Sequence, residues 1–511
     1  MKKNILKHLF LFIAVMAMNI CGHAQPKKVE LVTDEAEIAK LEAAVLANPD
    51  SLSYHEQYIK SVGLETPRVE KQYDAWMKQF PNNANVAYAI GHAYASKESP
   101  KAKPFLLKAV AIDPKYDKAW FDLWIDGERW GDFKTSASYL LKAKEAAPDN
   151  ADYAFYYANT YSKTDLKKYT DLSLDVAKKF PNTERGAQAL YWLANRSDDQ
   201  KAKVEYYEQQ KRDFPPDKFS WTSSGMSEYF SMLLMTDQSK AVALAESMAA
   251  LNGRDVKSWQ ANIELAKNIA KANEALNKGK ADEAVAVLDK VTVPRYSSAK
   301  EDIALLKANA MSAAGKTDQA YRDLVYYYAK EPSKKIETAL STYGSKLNKN
   351  KSKVDEDVWY IRDTSSKDAP NFTLDQYFKK GTSSLSDYKG KVVLLTYWFP
   401  GCGPCRGEFP HFENVVRKFK GKDLVYLGIN IVPDQDDYVV PFMKSSGYSF
   451  IPLRDNTSWE KGPLNNRNAA PVNFLIDQNG KIIFFNFRTD GHSEETLEMM
   501  IASMLERKKG A

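Results

Sequence analysis

VVLLTYWFPGCGPCRGEF, residues 392–409, is the stretch that decides the fold of this 511-residue chain. It begins as an apolar, β-branched run from Val392 to Trp398, which reads as a strand. It ends by opening into helical patterning over residues 406–420. Between the two stand Cys402, Gly403, Pro404 and Cys405. The chain has 3 cysteines, and the third, Cys21, lies in an N-terminal leader. Once that leader is removed, a single closely spaced pair remains and there is no disulfide framework. A bond across so short a loop adds little stability, because the loop-closure term grows with loop length. The pair reads as a dithiol/disulfide switch.

The leader, residues 1–24, has the form of a secretory signal peptide. Lys2, Lys3 and Lys7 make a basic n-region, residues 9–20 an apolar h-region, and Gly22-His23-Ala24 the small residues that cleavage needs. The mature chain is expected to start near Gln25 and to be periplasmic or exported. An uncleaved membrane anchor and a lipidated Cys21 are the alternatives. The short h-region speaks against the first, and Ile20 before the cysteine against the second. No later apolar run is long enough to cross a membrane. Losing Lys2, Lys3 and Lys7 lowers the net charge from +6 to +3. A balance so close to neutral leaves no footprint for nucleic acid or an anionic membrane.

A repeat precedes the redox motif. Proline closes a helical segment at Pro49, Pro81, Pro114, Pro148, Pro181 and Pro215, at intervals of 32 to 34 residues. The best copy has Gly91 and Tyr94 in its first helix and Ala102, Leu106, Ala109 and Pro114 in its second. Ser136, Leu140, Ala143 and Pro148 repeat the spacing. Small residues let the helices of a hairpin approach closely, and proline ends a helix because it lacks an N–H and clashes with the preceding turn. A period near 34 with this punctuation resembles the tetratricopeptide repeat, whose hairpins stack into a solenoid. Looser copies run through residues 279–284 and 315–320. The aromatics Tyr153, Phe155, Tyr156, Tyr157 and Tyr161 read mostly as packing between helices, with a few left to line a concave peptide-binding face.

The expected organisation is therefore a signal peptide at 1–24, an all-α tetratricopeptide-like solenoid at 25–344, a linker at 345–367 and an α/β domain at 368–511. Within the last, strands are expected at 392–398, 424–431, 472–476 and 482–487. Asn479-Gly480 provides a hairpin signal between the final two. Ser493 caps a last helix with Leu497, Met500, Ile501, Met504 and Leu505 on one face. Strands alternating with helices, then a hairpin and a helix, imply a mixed central sheet with helices on both faces.

Residues 368–511 resemble a thioredoxin fold of the TlpA/ResA-like kind, exported thiol-disulfide oxidoreductases. Ala369-Pro370-x-Phe372 and Leu385-Ser386-Asp387-x-Lys389-Gly390-Lys391 carry part of the resemblance. The rest lies in Tyr397-Trp398, Cys402 to Phe409, Pro410, and Ala470-Pro471-Val472-Asn473-Phe474. Two departures stand out. Gly401 occupies the place where thioredoxins usually carry Trp, and Thr396 the place of thioredoxin's buried aspartate. The resemblance implies that Glu408, three residues after Cys405, takes that carboxylate's part and that Pro471 is a cis-proline facing the cysteines. It also implies a protein disulfide as substrate and a membrane thiol reductant as electron donor.

The residues themselves support a division of labour. Cys402 should sit exposed at a helix N-terminus, where free N–H groups and the helix dipole favour a thiolate. It is the expected nucleophile, and Cys405, one turn further in, the resolving thiol. Glu408 shares a helix face with Cys405 and, if turned inward, would have its pKa raised by desolvation. The other reading is a solvated surface glutamate. The Gly-Pro spacer resembles reducing thioredoxins more than strong oxidants. Zinc would need two further ligands, with only His411 near in sequence. Covalent haem would need histidine where Arg406 stands. No cofactor follows from these residues. Trp398 reads as core, and His492 has no argued role. The expected activity is reduction of protein disulfides, with the repeats recruiting a protein or peptide. The rivals are an isomerase or oxidant, and a binding scaffold with a vestigial thioredoxin domain.

Overall fold

The computed structural model describes residues 31–251, 253, 255–294, 297–456 and 462–507. The expected signal peptide, Cys21 and Gln25 lie outside them. Among the described residues, nineteen helices run from Glu35 to Ser365 and an α/β domain follows. No helix there is long and apolar enough to cross a membrane.

The proline punctuation has a direct structural meaning. Each of the six repeat prolines sits one residue beyond a helix C-cap, as Pro114 does after Asp113 and Pro181 after Phe180. A residue without an N–H is tolerated just past the last turn and cannot extend it. Consecutive helices pack as pairs, Ala84–Ser96 on Ala102–Ile112 and Asp117–Trp130 on Phe133–Ala146. The small residues lie where these pairs touch. A Cβ on Gly91 would come within 3.0 Å of Leu106, and one on Gly127 within 2.9 Å of Ser136. Leu106, Ala109, Leu140 and Ala143 are fully buried. Tyr153 and Phe155 join the buried core, whereas Tyr156, Tyr157 and Tyr161 remain partly open.

The expected linker is corrected. Residues 345–367 contain a fifteen-residue helix, Lys351–Ser365, capped by the Asn350 side chain. Its polar composition hides two apolar faces. Val354, Val358 and Ile361 pack on the repeat core, and Trp359 packs on the core of the C-terminal domain. Arg362 is buried, donates to Ser503 Oγ at 3.1 Å and lies 4.9 Å over the Phe484 ring. Arg507 covers Trp359 at 4.2 Å. The two parts of the chain thus share a rigid element.

Among its described residues the C-terminal domain has eight strands: β1 Lys367–Asp368, β2 Thr373–Asp375, β3 Thr382–Ser384, β4 Val392–Trp398, β5 Leu424–Asn430, β6 Ile451–Arg454, β7 Val472–Ile476 and β8 Lys481–Phe485. Six form a mixed sheet in the order β1-β8-β7-β4-β5-β6, with β4, β5 and β6 parallel. β7 and β8 run antiparallel and are joined through Gly480, whose φ is +82°. Helices Gly403–Lys418, Asp436–Ser446 and Glu494–Glu506 cover one face, through Phe409, Phe412, Phe442, Leu497 and Met500. On the other face the helical cover is one 3-10 turn, Leu385–Tyr388, beside the β2–β3 hairpin and Leu464. Strand β6 contains Pro452, which argues against a central strand. It is tolerated at the sheet edge, where one side of the strand needs no donor.

A fragment beginning at residue 350 should be more stable than one beginning at 368. Losing the half-buried Trp359 ring should cost about 1–3 kcal/mol. At roughly 2–4 °C per kcal/mol for a domain of this size, the difference is readable in thermal melts. Equal melting temperatures would show that helix Lys351–Ser365 adds nothing to the domain.

Candidate active site

β4 ends at Trp398, and residues 399–402 turn the chain into helix Gly403–Lys418. Cys402 is the N-cap of that helix. Pro404 falls in the first turn, where an N–H has no intrahelical partner to lose. Cys402 and Cys405 are joined as a disulfide, with Cα atoms 5.3 Å apart. The Cys405 N–H donates to Cys402 Sγ at 3.2 Å. A thiolate formed at Cys402 would meet that donor and the positive end of the helix dipole. Trp398 is fully buried among Phe409, Phe442 and Phe450, so it belongs to the core.

The expected exposure of Cys402 is corrected: the residue is only 2 % exposed, and Cys405 is fully buried. Glu98 accepts from the Gln435 side chain, whose Oε1 in turn accepts the Gly401 N–H at 2.6 Å. Glu128 accepts from Arg406. The Trp130 ring lies 4.4 Å from that of Tyr438. Repeat side chains therefore meet the residues that flank the cysteines on both sides.

Glu408 is turned inward and is 6 % exposed. Its Oε2 accepts from Asn473 Nδ2 at 3.0 Å, and its Oε1 from the Thr489 N–H at 3.1 Å. Arg488 stands 3.7 Å away. Burial raises the Glu408 pKa above its ordinary value, and these donors and Arg488 hold back part of the rise. Asn473 is fixed from behind. Its Oδ1 accepts the Thr396 hydroxyl at 2.8 Å, while Nδ2 also donates to the Phe487 carbonyl at 2.9 Å. Both amide N–H groups are thus used, and the oxygen accepts one hydrogen bond. Thr396 stands where thioredoxin buries an aspartate, and here it orients the partner of a glutamate on the adjacent helix.

Pro471 is buried, and the Ala470–Pro471 bond is cis. In the antiparallel β4–β7 ladder Val472 faces Tyr397, so Pro471 enters level with the end of β4, where the cysteine loop departs. His411 lies beside Glu494, and His492 Nε2 lies 3.2 Å from the Asn195 carbonyl of the repeats. Reading the sequence missed Asn473, Gln435, Glu98 and Glu128. Asn473 had a signal, two residues after the proline. The other three have none, since Glu98 and Gln435 are 337 positions apart.

A mixed sheet that delivers a cysteine pair to the N-terminus of a helix, opposite a proline-led strand, defines a thioredoxin-like domain. Residues 366–485 of that domain match the AhpC/TSA family. The thiol-disulfide oxidoreductase ResA of Bacillus subtilis (strain 168) is 36% identical over 121 residues, 23% of this chain and 63% of that protein. ResA of Geobacillus kaustophilus is 32% identical over 119 residues, 22% of this chain and 64% of that one. The chain thus spans just under two thirds of the length of these curated relatives. Among solved structures, the thioredoxin domain of a thiol-disulfide oxidoreductase from Bacteroides vulgatus is 25% identical. It overlaps 27% of this chain and 96% of that one, with a TM-score of 0.24.

Two outcomes are expected. Because the folded-state pKa of Glu408 lies above its unfolded value, the folded state holds the extra proton in the window between them. Its contribution is fully present below the ordinary glutamate range and is lost as pH rises through the folded pKa. The stability of Glu408→Gln relative to wild type should therefore increase as pH rises from about 4 toward neutrality. Denaturant titrations at several pH values read this directly, and a pH-independent difference would place the carboxylate in solvent. Thr396→Val leaves Asn473 Oδ1 buried without a donor and should cost about 1–3 kcal/mol in the same titrations.

Proposed function

We propose that this chain is an exported thiol-disulfide oxidoreductase that reduces protein disulfides through Cys402 and Cys405. The carrying observation is the disulfide itself, closed across the N-cap of the helix that also carries the buried Glu408. The Cys402 thiolate attacks one sulfur of a substrate disulfide. A Cys402–substrate bond forms, the substrate S–S bond breaks, and the other substrate sulfur leaves and takes up a proton. Cys405 then gives up its proton and attacks Cys402 Sγ. The mixed disulfide breaks, the Cys402–Cys405 bond closes, and the second substrate thiol departs. Two electrons have passed to the substrate.

Glu408 lies one turn along the helix from Cys405, on the same face. Its raised pKa suits it to accept the proton that Cys405 must lose before it can attack. Asn473 and Thr396 position that carboxylate, and Pro471 borders the site. The Gly-Pro spacer argues for a reducing poise. The names of the curated relatives support the chemistry. The intact pair, with Glu408 turned inward, argues against a vestigial domain. The tetratricopeptide-like repeats, residues 25–344, would recruit a protein partner. Export rests on the leader, and a membrane thiol reductant would regenerate the dithiol.

Trapping tests the exchange: Cys405→Ser with Cys402 intact should hold substrate proteins as mixed disulfides that reductant releases. Equilibration with glutathione should give a potential nearer roughly −270 mV than −120 mV, and a value above about −180 mV would favour an oxidant or isomerase. Glu408→Gln should flatten the acid limb of the exchange rate. Alkylation of Cys402 in the Cys405→Ser protein should change much less. A wild-type rate profile would remove the proton-transfer role from Glu408.

A further inference from the structure

Exchange needs a substrate sulfur in line with Cys402 Sγ, yet Cys402 is only 2 % exposed. We propose that the repeat region is a latched cap over the redox pair, with Glu98 and Glu128 as the latch. Helices Ala84–Ser96 and Asp117–Trp130 must then lift from the cysteine loop before a protein disulfide can react. The proposal rests on the redox reading given above and adds who controls access.

Three observations carry it. The first is the placement of the contacts. Glu98 holds Gln435, which holds the Gly401 N–H immediately before Cys402. Glu128 holds Arg406 immediately after Cys405. Both ends of the four-residue motif are tied to the repeats and to nothing as distant in sequence.

The second is the space at Gly401. A Cβ there would lie 3.0 Å from the Gln435 amide and 3.1 Å from Glu98 Oε1. A larger side chain at this position would have to displace the Gln435 amide and the Glu98 carboxylate that meets it. The residue before the nucleophile is glycine, and the volume beside it is filled by a carboxylate from the other part of the chain.

The third is the backbone of the latch. Glu98 follows the C-cap of helix Ala84–Ser96 with φ +56°. Glycine takes this helix-ending left-handed position with least strain. Helix Asp117–Trp130 does use glycine there, Gly131 at φ +72°. The Glu98 side chain at this position pairs with Arg129 of the repeats at 3.4 Å and also reaches Gln435. Gly131 also serves the cap. A Cβ on it would be 3.1 Å from the Phe442 carbonyl, so the turn presses directly on helix Asp436–Ser446. The Trp130–Tyr438 ring contact lies alongside.

The test uses the full chain, reduced with dithiothreitol, and a bulky maleimide as the probe of Cys402. The rate at which a covered thiol reacts scales with the fraction of molecules open, so releasing the latch should raise it by about tenfold. Glu98→Ala/Glu128→Ala should label at least that much faster than wild type while keeping its helical circular dichroism. Should that pair of substitutions unfold the repeats, Trp130→Ala weakens the same contact without touching either carboxylate, and it should also speed labelling. A small alkylating agent should discriminate less between the proteins than the bulky one. Equal maleimide rates in wild type and folded variants would overturn the cap. If dithiothreitol releases no alkylatable thiols from any of the proteins, the redox reading itself falls and the cap falls with it.

Discussion

The pairing of β4 with β7 is the interaction on which the site depends. It is antiparallel and sets Thr396 opposite Asn473 and Tyr397 opposite Val472. From that one register follow the hydroxyl that orients the Asn473 amide, the amide that meets Glu408, and the arrival of Pro471 at the end of β4. Alternation makes the register hard to lose. Val392, Leu394 and Trp398 feed the core under the helices, and Val393, Leu395 and Tyr397 the core on the other face. A slip by one residue would exchange those two sets and carry Asn473 to the wrong side of the sheet. Packing of apolar side chains therefore holds a polar network in place.

That network explains how a thioredoxin-like domain manages without a carboxylate on the strand before its cysteines. Glu408 comes from the helix, one turn from Cys405, and is buried against the sheet. Burial alone would push its proton affinity up, and the Asn473 amide, Thr489 N–H and Arg488 moderate the rise. The charge is reached from several directions and neutralised from none at close range, since Arg488 stays 3.7 Å away and half-exposed. A carboxyl whose proton affinity is raised by burial suits the proton transfer proposed for Cys405.

Much of this was legible in the sequence where the signal is local. The six prolines mark helix ends because each acts on its own turn, and each falls one residue past a C-cap. Cys402 could be placed at a helix start because a strand, two cysteines and a helical pattern follow one another directly. Spacing placed Glu408 on the helix face of Cys405, and the family resemblance favoured its inward turn over a solvated one. Reading failed where two parts of the chain meet. Helix Lys351–Ser365 looks like a linker because its two apolar faces are narrow and its other positions are charged. The burial of Cys402 could not be seen either, because the covering residues carry no periodicity that points to residues 401–406. β6 was not read at all; it is a four-residue strand with a proline, which an edge position permits.

The contact over the cysteines has the character of one that opens. It is made of two carboxylates, a glutamine, an arginine and a few rings, not of a continuous apolar core. It also carries a cost. Asp126 is fully buried beside Trp130 and Tyr438, with no ion pair among the described residues, and burial pushes its pKa up to about 6. Arg129 and Lys103 hold back part of that rise, and the burial of the carboxyl still offsets part of what the latch contributes. An interface selected only for permanence would replace that aspartate with an apolar residue of similar size. Here the seam between repeats and redox site is left short of its attainable stability. If the repeats recruit the substrate as proposed, a bound protein could supply the difference. Recruitment and exposure would be one event, and Cys402 would meet the disulfide of the protein that opened the seam before it met any other oxidant.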